Sequence, residues 1–359
     1  MTKELYDKLF EKIDNIGFGI TKTPESDEPT YLELIFGDED ATYFIEMIEE
    51  LETVDQIAAR VGREPREAAE QLYGMSRRGL AYREKIDGVL HYRPVPLLHG
   101  IVEFNVNRHT TEQLKAFGKI AAAGLRPRYY AYEPFQRSMP INADVVKDGK
   151  ILPEDDVRKY LKNARAIALA NCICRTIKKQ TGGDCKHTMQ TCMAINGWAD
   201  YYVENEDGKY ISYEEALEIL KLCDAEGLSV HCANSEETEI ICCCCSCCCG
   251  LIRAYTFFPE GVKVDQVTNY YMALDEEKCI NCGLCAERCV MDALKMENGK
   301  LRHDVSRCNG CGLCASTCPT NAAMLDLKEE IYLPPGKSWF DTYKVMADDR
   351  RKMGHLAAK

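Results

Sequence analysis

Two cysteine runs of one spacing, CINCGLCAERCV from Cys279 and CNGCGLCASTCP from Cys308, lie 29 residues apart and repeat C-x2-C-x2-C-x3-C position for position. Gly283 and Gly312 fall at equivalent places, where the backbone must turn closely. Thirteen further cysteines lie between Cys172 and Cys249, seven of them inside ICCCCSCCCG at 241–250. No ordinary core needs such a density of thiols. All 21 cysteines lie between Cys172 and Cys318, so a metal-free front precedes a metal-rich back. An odd cysteine count in a long chain argues against a secreted disulfide scaffold, and clustered thiols in a reducing compartment read as metal ligands.

The chain has 359 residues, enough for two or three domains. A formal charge of -12 opposes a phosphate backbone or an anionic membrane surface, both of which reward a basic face. No apolar run approaches the roughly 20 residues of a spanning helix. The opening MTKELYDKLFEKIDNIGFGI is charged and mixed, unlike a secretion signal. These features predict a cytoplasmic protein, and so many oxidisable thiols predict an anaerobic or strongly reducing host.

In the front, Thr53-Val-Asp-Gln56 has the form of a capping box, and Val54, Ile57, Ala58 and Val61 follow at helical spacing. Gly62 ends that helix, and Pro65 opens a second with Ala68, Ala69, Leu72, Tyr73 and Met75 on its apolar face, stopped by Gly79. AYREKIDGVLHYRPV then reads as a hairpin around Asp87-Gly88. Helix, turn, helix and hairpin predict a winged helix. Arg60 to Lys85 holds seven basic and four acidic residues, which raises DNA binding, but GDED at 37–40 opposes it and docking or packing is the stronger expectation. Beyond residue 100, TTEQLKAFGKIAAAG predicts a helix with a glycine stop, and PEDDVRKYLKNAR a helix opened by Pro153. Tyr129, Tyr130, Tyr132 and Phe135 predict an apolar seam, with ligand lining as the alternative.

The doubled C-x2-C-x2-C-x3-C runs resemble the bacterial ferredoxins that hold two [4Fe-4S] clusters. In that family three thiolates on a tight loop face three irons of a cubane, and the fourth cysteine of each run serves the other cluster. The resemblance implies Cys279, Cys282, Cys285 and Cys318 on one cluster, and Cys308, Cys311, Cys314 and Cys289 on the second. Val290 stands where the family has a proline after the fourth cysteine, whereas Pro319 keeps it. The alternative, two four-cysteine zinc sites, suits the cluster-type spacing less well.

In the middle, AIALANCICRTI predicts a buried strand ending in Cys172 and Cys174 with both thiols on one face; Cys185 and Cys192 follow, and Arg175 offsets negative charge. Cys223, on the helix YISYEEALEILKLCDAEGLSV, reads as packing. His187 and His231 are minor candidates as ligands beside so many thiols. Adjacent cysteines of an extended chain face opposite ways, so the dense run touches two centres or one larger than a cubane. The front helices, the N-C-x-C-R element, the cysteine run and the ferredoxin pair together resemble a group of 4Fe-4S binding proteins of anaerobic bacteria and archaea. In that group the positions matching Cys243 and Ser246 are commonly Asn and Gly, and Cys223 and Cys232 fall outside the pattern. The resemblance thus leaves ten middle ligands, Cys172, Cys174, Cys185, Cys192, Cys242, Cys244, Cys245, Cys247, Cys248 and Cys249, for one or two further iron-sulfur clusters. Cys248-Cys249-Gly250 also resembles, weakly, the CCG motif of heterodisulfide-reductase subunits with noncubane clusters.

The expected architecture is an α+β multidomain chain. A winged-helix-like domain (1–100) is followed by connecting helices and loops (101–165) and a Cys-rich α/β metal-cluster domain (166–272). A bacterial ferredoxin-like 2[4Fe-4S] module (273–326) and a C-terminal tail helix (327–359) complete it, the latter folding back or docking a partner. The expected function is electron transfer from a soluble carrier through the two [4Fe-4S] clusters and the middle centre to a partner redox enzyme. No paired acid and base of the kind proton catalysis uses is evident. One alternative is a reductase whose middle cluster acts on a disulfide or thioester. Another is a redox-sensing winged-helix regulator, for which eight ferredoxin ligands are more than sensing needs. Neither a G-x-G-x-x-G nor a G-x-x-x-x-G-K-[ST] element occurs.

Overall fold

The computed structural model describes residues 1–17, 19–20, 22, 28–122, 134–257 and 267–354. Gly124, Tyr129, Tyr130 and Tyr132 therefore lie outside the described residues. The chain is a mixed α/β structure, and no helix among the described residues is long and apolar enough to cross a membrane.

In the front, β1 (Glu52–Thr53), β2 (Ala81–Ile86) and β3 (Val89–Pro94) form an antiparallel sheet in the order β1-β3-β2. Asp87 (φ 49°) and Gly88 (φ 85°) make the two-residue turn, both in the left-handed region a twisted hairpin requires. Ahead of the hairpin stand helices Val54–Val61 and Pro65–Arg77, parted by Gly62 at φ 66°. The Gln56 side chain accepts the Thr53 N–H at 2.9 Å, and Pro65 occupies the first turn of the second helix. The second helix packs on Gly197–Glu204: Tyr201 donates to the Ser76 and Ala81 carbonyls at 2.8 and 3.0 Å.

The middle is built on six strands, β4 (Gln136–Met139), β5 (Ile167–Asn171), β6 (Gln190–Ile195), β7 (Gly208–Tyr210), β8 (Ser229–Ala233) and β9 (Ile240–Cys244). Their order is β4-β8-β9-β6-β5-β7, and every ladder is antiparallel. Alternation assigns the faces. Met193, Ile195, Val230, Cys232, Ile241 and Cys243 enter a core shared with helix Tyr213–Ala225 and the ferredoxin-like end of the chain. Cys192, Ala194, Ile240, Cys242 and Cys244 belong with the core that extends into the front. The helix expected from Pro153 is divided: Pro153–Asp155 is a 3-10 turn, and Asp156 caps a new helix, Val157–Asn163. Asp155 is drawn inward by Arg137 at 2.7 Å and Asn269 at 2.8 Å, a buried ion pair whose remaining oxygen is also satisfied.

β10 (Tyr270–Leu274) and β13 (Ala323–Leu327) pair antiparallel around the two cysteine loops, and β11 (Leu294–Glu297) pairs with β12 (Lys300–His303). The last helix, Trp339–Lys352, folds back on the front. Trp339 meets Trp198 edge to face at 4.7 Å, Tyr343 donates to the Leu98 carbonyl at 2.9 Å, and buried Arg350 pairs with Asp14 at 2.7 Å.

Candidate metal centres

In the C-terminal end, Gly283 (φ 83°) and Gly312 (φ 80°) cap the short helices Leu284–Glu287 and Leu313–Ser316. Both stand in the left-handed region, and a Cβ on Gly312 would lie 2.6 Å from Val145 Cγ2. The loops close around two small cavities of ≈ 20 Å³ each. The first is ringed by Cys279, Cys282, Cys285 and Cys318, the second by Cys308, Cys311, Cys314 and Cys289. Each cavity thus takes three thiols from one run and the fourth from the other. Main-chain N–H groups aim at the sulfurs: Ala293 at Cys289 (3.3 Å), Met272 at Cys308 (3.4 Å) and Ala323 at Cys318 (3.5 Å). These donors favour the thiolate, and they hold Cys318 below the usual thiol range despite its burial. Burial pushes Cys311 the other way, up to about 12.

The ten middle thiols divide into six and four. In the group of six, Cys172 adjoins Cys174, Cys174 adjoins Cys249, Cys249 adjoins Cys244, and Cys192 adjoins Cys242. In the group of four, the sulfurs of Cys185, Cys245, Cys247 and Cys248 all lie within 4.8 Å of one another. Strand alternation separates the rest: Cys243 faces away from Cys242 and Cys244 and packs beside Cys223 on helix Tyr213–Ala225, while Cys232 lies near Thr238. His187 lies 3.5 Å from Glu226, and His231 Nε2 lies 3.0 Å from the Ser229 hydroxyl.

One expectation changes. Cys172 and Cys174 are not at the end of a strand: β5 stops at Asn171, Cys172 caps helix Ile173–Gln180, and Cys174 lies in its first turn. The helix wins because ICRTIKKQ places Ile173 and Ile177 on one side and Lys178 and Lys179 beyond them, an amphipathic pattern of period 3.6. The two thiols still meet.

Hydrogen bonding to Cys174 and burial push Cys172 far up, and hydrogen bonding to Cys192 and burial do the same to Cys242. So many thiols facing one another resist ionisation together; a bound cation reverses that, because a coordinated thiol is deprotonated outright. Arg175 stands between the groups, fully buried. Its guanidinium lies beside the Cys245 thiol and donates to the Thr188 and Cys243 carbonyls at 2.6 and 2.9 Å. Burial alone raises Cys245, but the Cys247 and Arg175 contacts bring it below the usual thiol range.

Beside the six thiols lies a cavity of ≈ 450 Å³, far larger than either ferredoxin-type cavity. His99, Glu103, Phe135 and Gln136 line it. Gln136 Nε2 lies 3.2 Å from His99 Nε2 and 3.4 Å from Cys242 Sγ. His99 sits at φ 51°, a conformation costly for a residue with a Cβ. Its Nδ1 is buried without a hydrogen-bond partner among the described residues. Burial lowers His99 to about 3, so the ring is neutral, and raises Glu103 to about 7. No spacing in the sequence links His99, Glu103 and Gln136 to the cysteines. Only the pairing of β4 with β8 and the turn after Pro96 bring them there.

Paired four-thiol cavities with N–H···S donors, together with a second cluster of thiols, define an iron-sulfur protein. The family model of the 4Fe-4S dicluster domain matches residues 272–325, the segment that contains both ferredoxin-type cavities. No curated protein and no solved structure matches the chain significantly.

Proposed function

We propose that the chain is an electron-transfer protein that relays low-potential electrons from a soluble carrier to a partner redox enzyme. Cys279, Cys282, Cys285 and Cys318 hold one [4Fe-4S] cluster, and Cys308, Cys311, Cys314 and Cys289 a second. Cys172, Cys174, Cys192, Cys242, Cys244 and Cys249 hold a further iron-sulfur centre. When bound, these groups supply one-electron carriers whose potentials follow charge, burial and hydrogen bonds to sulfur.

The observation that supports the relay most strongly is the wall shared by two of the sites. The Cys311 thiol lies against the Ser229 side chain, and Ser229 is paired directly with Cys244 across the β8–β9 ladder. One serine therefore separates the second ferredoxin cavity from the six-thiol group. At the other end, the rim of the first cavity exposes Ile280 (64%) and Leu284 (42%), apolar side chains available to a transient docking partner. Residues 54–94 act as a winged helix used for packing and docking, because its basic side chains are engaged: Arg60 with Glu52, Arg77 with Glu206, Arg78 with Asp40 and Arg83 with Glu204.

The large cavity favours a second reading, in which the six-thiol centre itself reduces a disulfide or thioester bound against His99, Glu103 and Gln136. Iron, acid-labile sulfide and reduced-state EPR on anaerobically purified protein test the relay. About twelve iron atoms per chain, in three centres all reduced by a low-potential carrier protein, support it; about eight remove the middle centre. A change in the middle centre's EPR on adding a disulfide or thioester, with turnover, favours the reductase.

A further inference from the structure

We infer that Cys185, Cys245, Cys247 and Cys248 bind a single divalent, thiophilic ion in a tetrahedral site of their own, separate from every iron-sulfur cluster of the chain. The sulfur geometry is the reason. Cys247 Sγ lies 3.4 Å from Cys245, 3.5 Å from Cys248 and 3.6 Å from Cys185, and all four sulfurs are within 4.8 Å of one another. Metal-sulfur bonds of about 2.3 Å in a tetrahedron set the sulfurs about 3.8 Å apart, close to these separations. A cubane asks for something different. Its four ligands sit on four separate irons and splay outward, so its thiols must ring a space.

The ferredoxin-type sites of the same chain provide the comparison. Their thiols do ring cavities, and among the described residues no other three cysteine, histidine or carboxylate ligand atoms come so close together. The four thiols at the turn thus stand close enough together for one ion, although Cys245 and Cys248 also border the large cavity that the six thiols line. Sequence placement agrees. Cys245, Cys247 and Cys248 stand on one tight turn after β9, where adjacent cysteines can reach a shared ion but not the separated corners of a cluster. Arg175 beside Cys245 offsets the double negative charge of four thiolates around one divalent ion.

Zinc and ferrous iron share this chemistry, and the position near the surface, with Cys247 exposed, leaves the site open to either. The ion fastens the loop between helix Ile173–Gln180 and β6 to the turn after β9. It thereby holds together the segments that carry Cys172, Cys174, Cys192, Cys242, Cys244 and Cys249. The inference rests on sulfur separations and is independent of the direction of electron flow.

The test uses the full chain, purified anaerobically, with zinc, iron and acid-labile sulfide counted and the zinc-edge X-ray absorption recorded. The expected result is one zinc per chain with about four sulfur neighbours at about 2.3 Å, or one iron in excess of the cluster iron. Cys185→Ser and Cys247→Ser are each expected to lose that one ion while sulfide content and the reduced-state EPR stay at the wild-type level. Loss of about four iron and four sulfide together in these variants overturns the inference, as does wild-type protein with neither zinc nor excess iron. If a variant does not fold, the wild-type absorption spectrum decides alone.

Discussion

Arg175 donates from Nη2 to the main-chain carbonyl of Cys243 at 2.9 Å, placing a buried cation against the strand whose two faces separate Cys242 and Cys244 of the six-thiol group from Cys243 in the opposite core. The same guanidinium reaches the Thr191 hydroxyl and the Cys245 thiol, so one side chain serves both the six-thiol and four-thiol groups. Arg175→Met removes the positive charge and leaves the Thr188 and Cys243 carbonyls and the Thr191 hydroxyl without that donor. The expected loss is about 1–3 kcal/mol of stability in anaerobic denaturant unfolding, the scale for leaving a buried acceptor without its donor. The middle centre's reduction potential should also fall, because its reduced, more negative form loses its counter-charge. Arg175→Lys retains charge without the planar fork and should fall between. An EPR redox titration showing the wild-type midpoint in Arg175→Met would refute this role.

The crossed cysteines allow the two ferredoxin sites to be emptied one at a time. Cys318 belongs by sequence to the second run but stands in the first cavity, and Cys289 does the reverse. Cys318→Ser should therefore lower iron by up to about four atoms per chain and remove the cluster served by Cys279, Cys282 and Cys285. Cys289→Ala should damage the other. Reduced-state EPR distinguishes the two, since the spin coupling between neighbouring clusters disappears in both variants while the surviving signal differs. Identical residual spectra would show that the pairing is not crossed.

Glu103 makes stability depend on pH. It is buried, and burial raises its carboxyl from 4.5 to about 7, against the opposing pull of the Gly100 N–H at 3.1 Å. Below about pH 4.5 both folded and unfolded chains hold the proton and no penalty exists. Between about 4.5 and 7 the unfolded chain ionises first, so stability falls, and above about 7 the full cost of about 3 kcal/mol is present. Glu103→Gln should flatten this slope and raise stability at pH 8, with little effect near pH 5. Unfolding of wild type and variant compared at each pH isolates the carboxyl from any acid lability of the clusters; parallel curves would exclude it.

Local rules made the ends and loops legible in advance. Thr53 with Gln56, Pro65, Gly62 and the Asp87-Gly88 turn specify their structures within a few residues, because each satisfies or forbids a backbone conformation by itself. The doubled cysteine spacing likewise identifies both ferredoxin cavities. Cys172 and Cys174 were harder, since an apolar run ending in Cys-x-Cys suits a strand until the amphipathic helix that follows is weighed. The large cavity was not readable at all. His99, Glu103 and Gln136 come from separate segments and meet the thiols only through the pairing of β4 with β8 and a strained left-handed residue. The division of the ten thiols into six and four depends on where one tight turn directs Cys245, Cys247 and Cys248. Periodicity does not describe such a turn.

The basic residues of the front helices provide a test of partner choice. Seven lie between Arg60 and Lys85, and five of them are matched by carboxylates: Arg60 by Glu52, Arg66 by Glu70, Arg77 by Glu206, Arg78 by Asp40 and Arg83 by Glu204. Arg83 is also buried, donating to Ser76 and Asn205 at 2.7 Å each, so its charge is spent inside the chain. Binding to DNA gains its free energy by releasing counterions from phosphates, and a cation already neutralised by its own chain contributes little to that release. With a net charge of -12, the whole molecule repels the polyanion as well. Fluorescence anisotropy of labelled duplex DNA at roughly 50 mM salt should therefore show no saturable binding tighter than about 10⁻⁴ M. Micromolar binding that weakens steeply as salt rises would instead assign the front helices and hairpin to nucleic acid and point the clusters toward a sensing role.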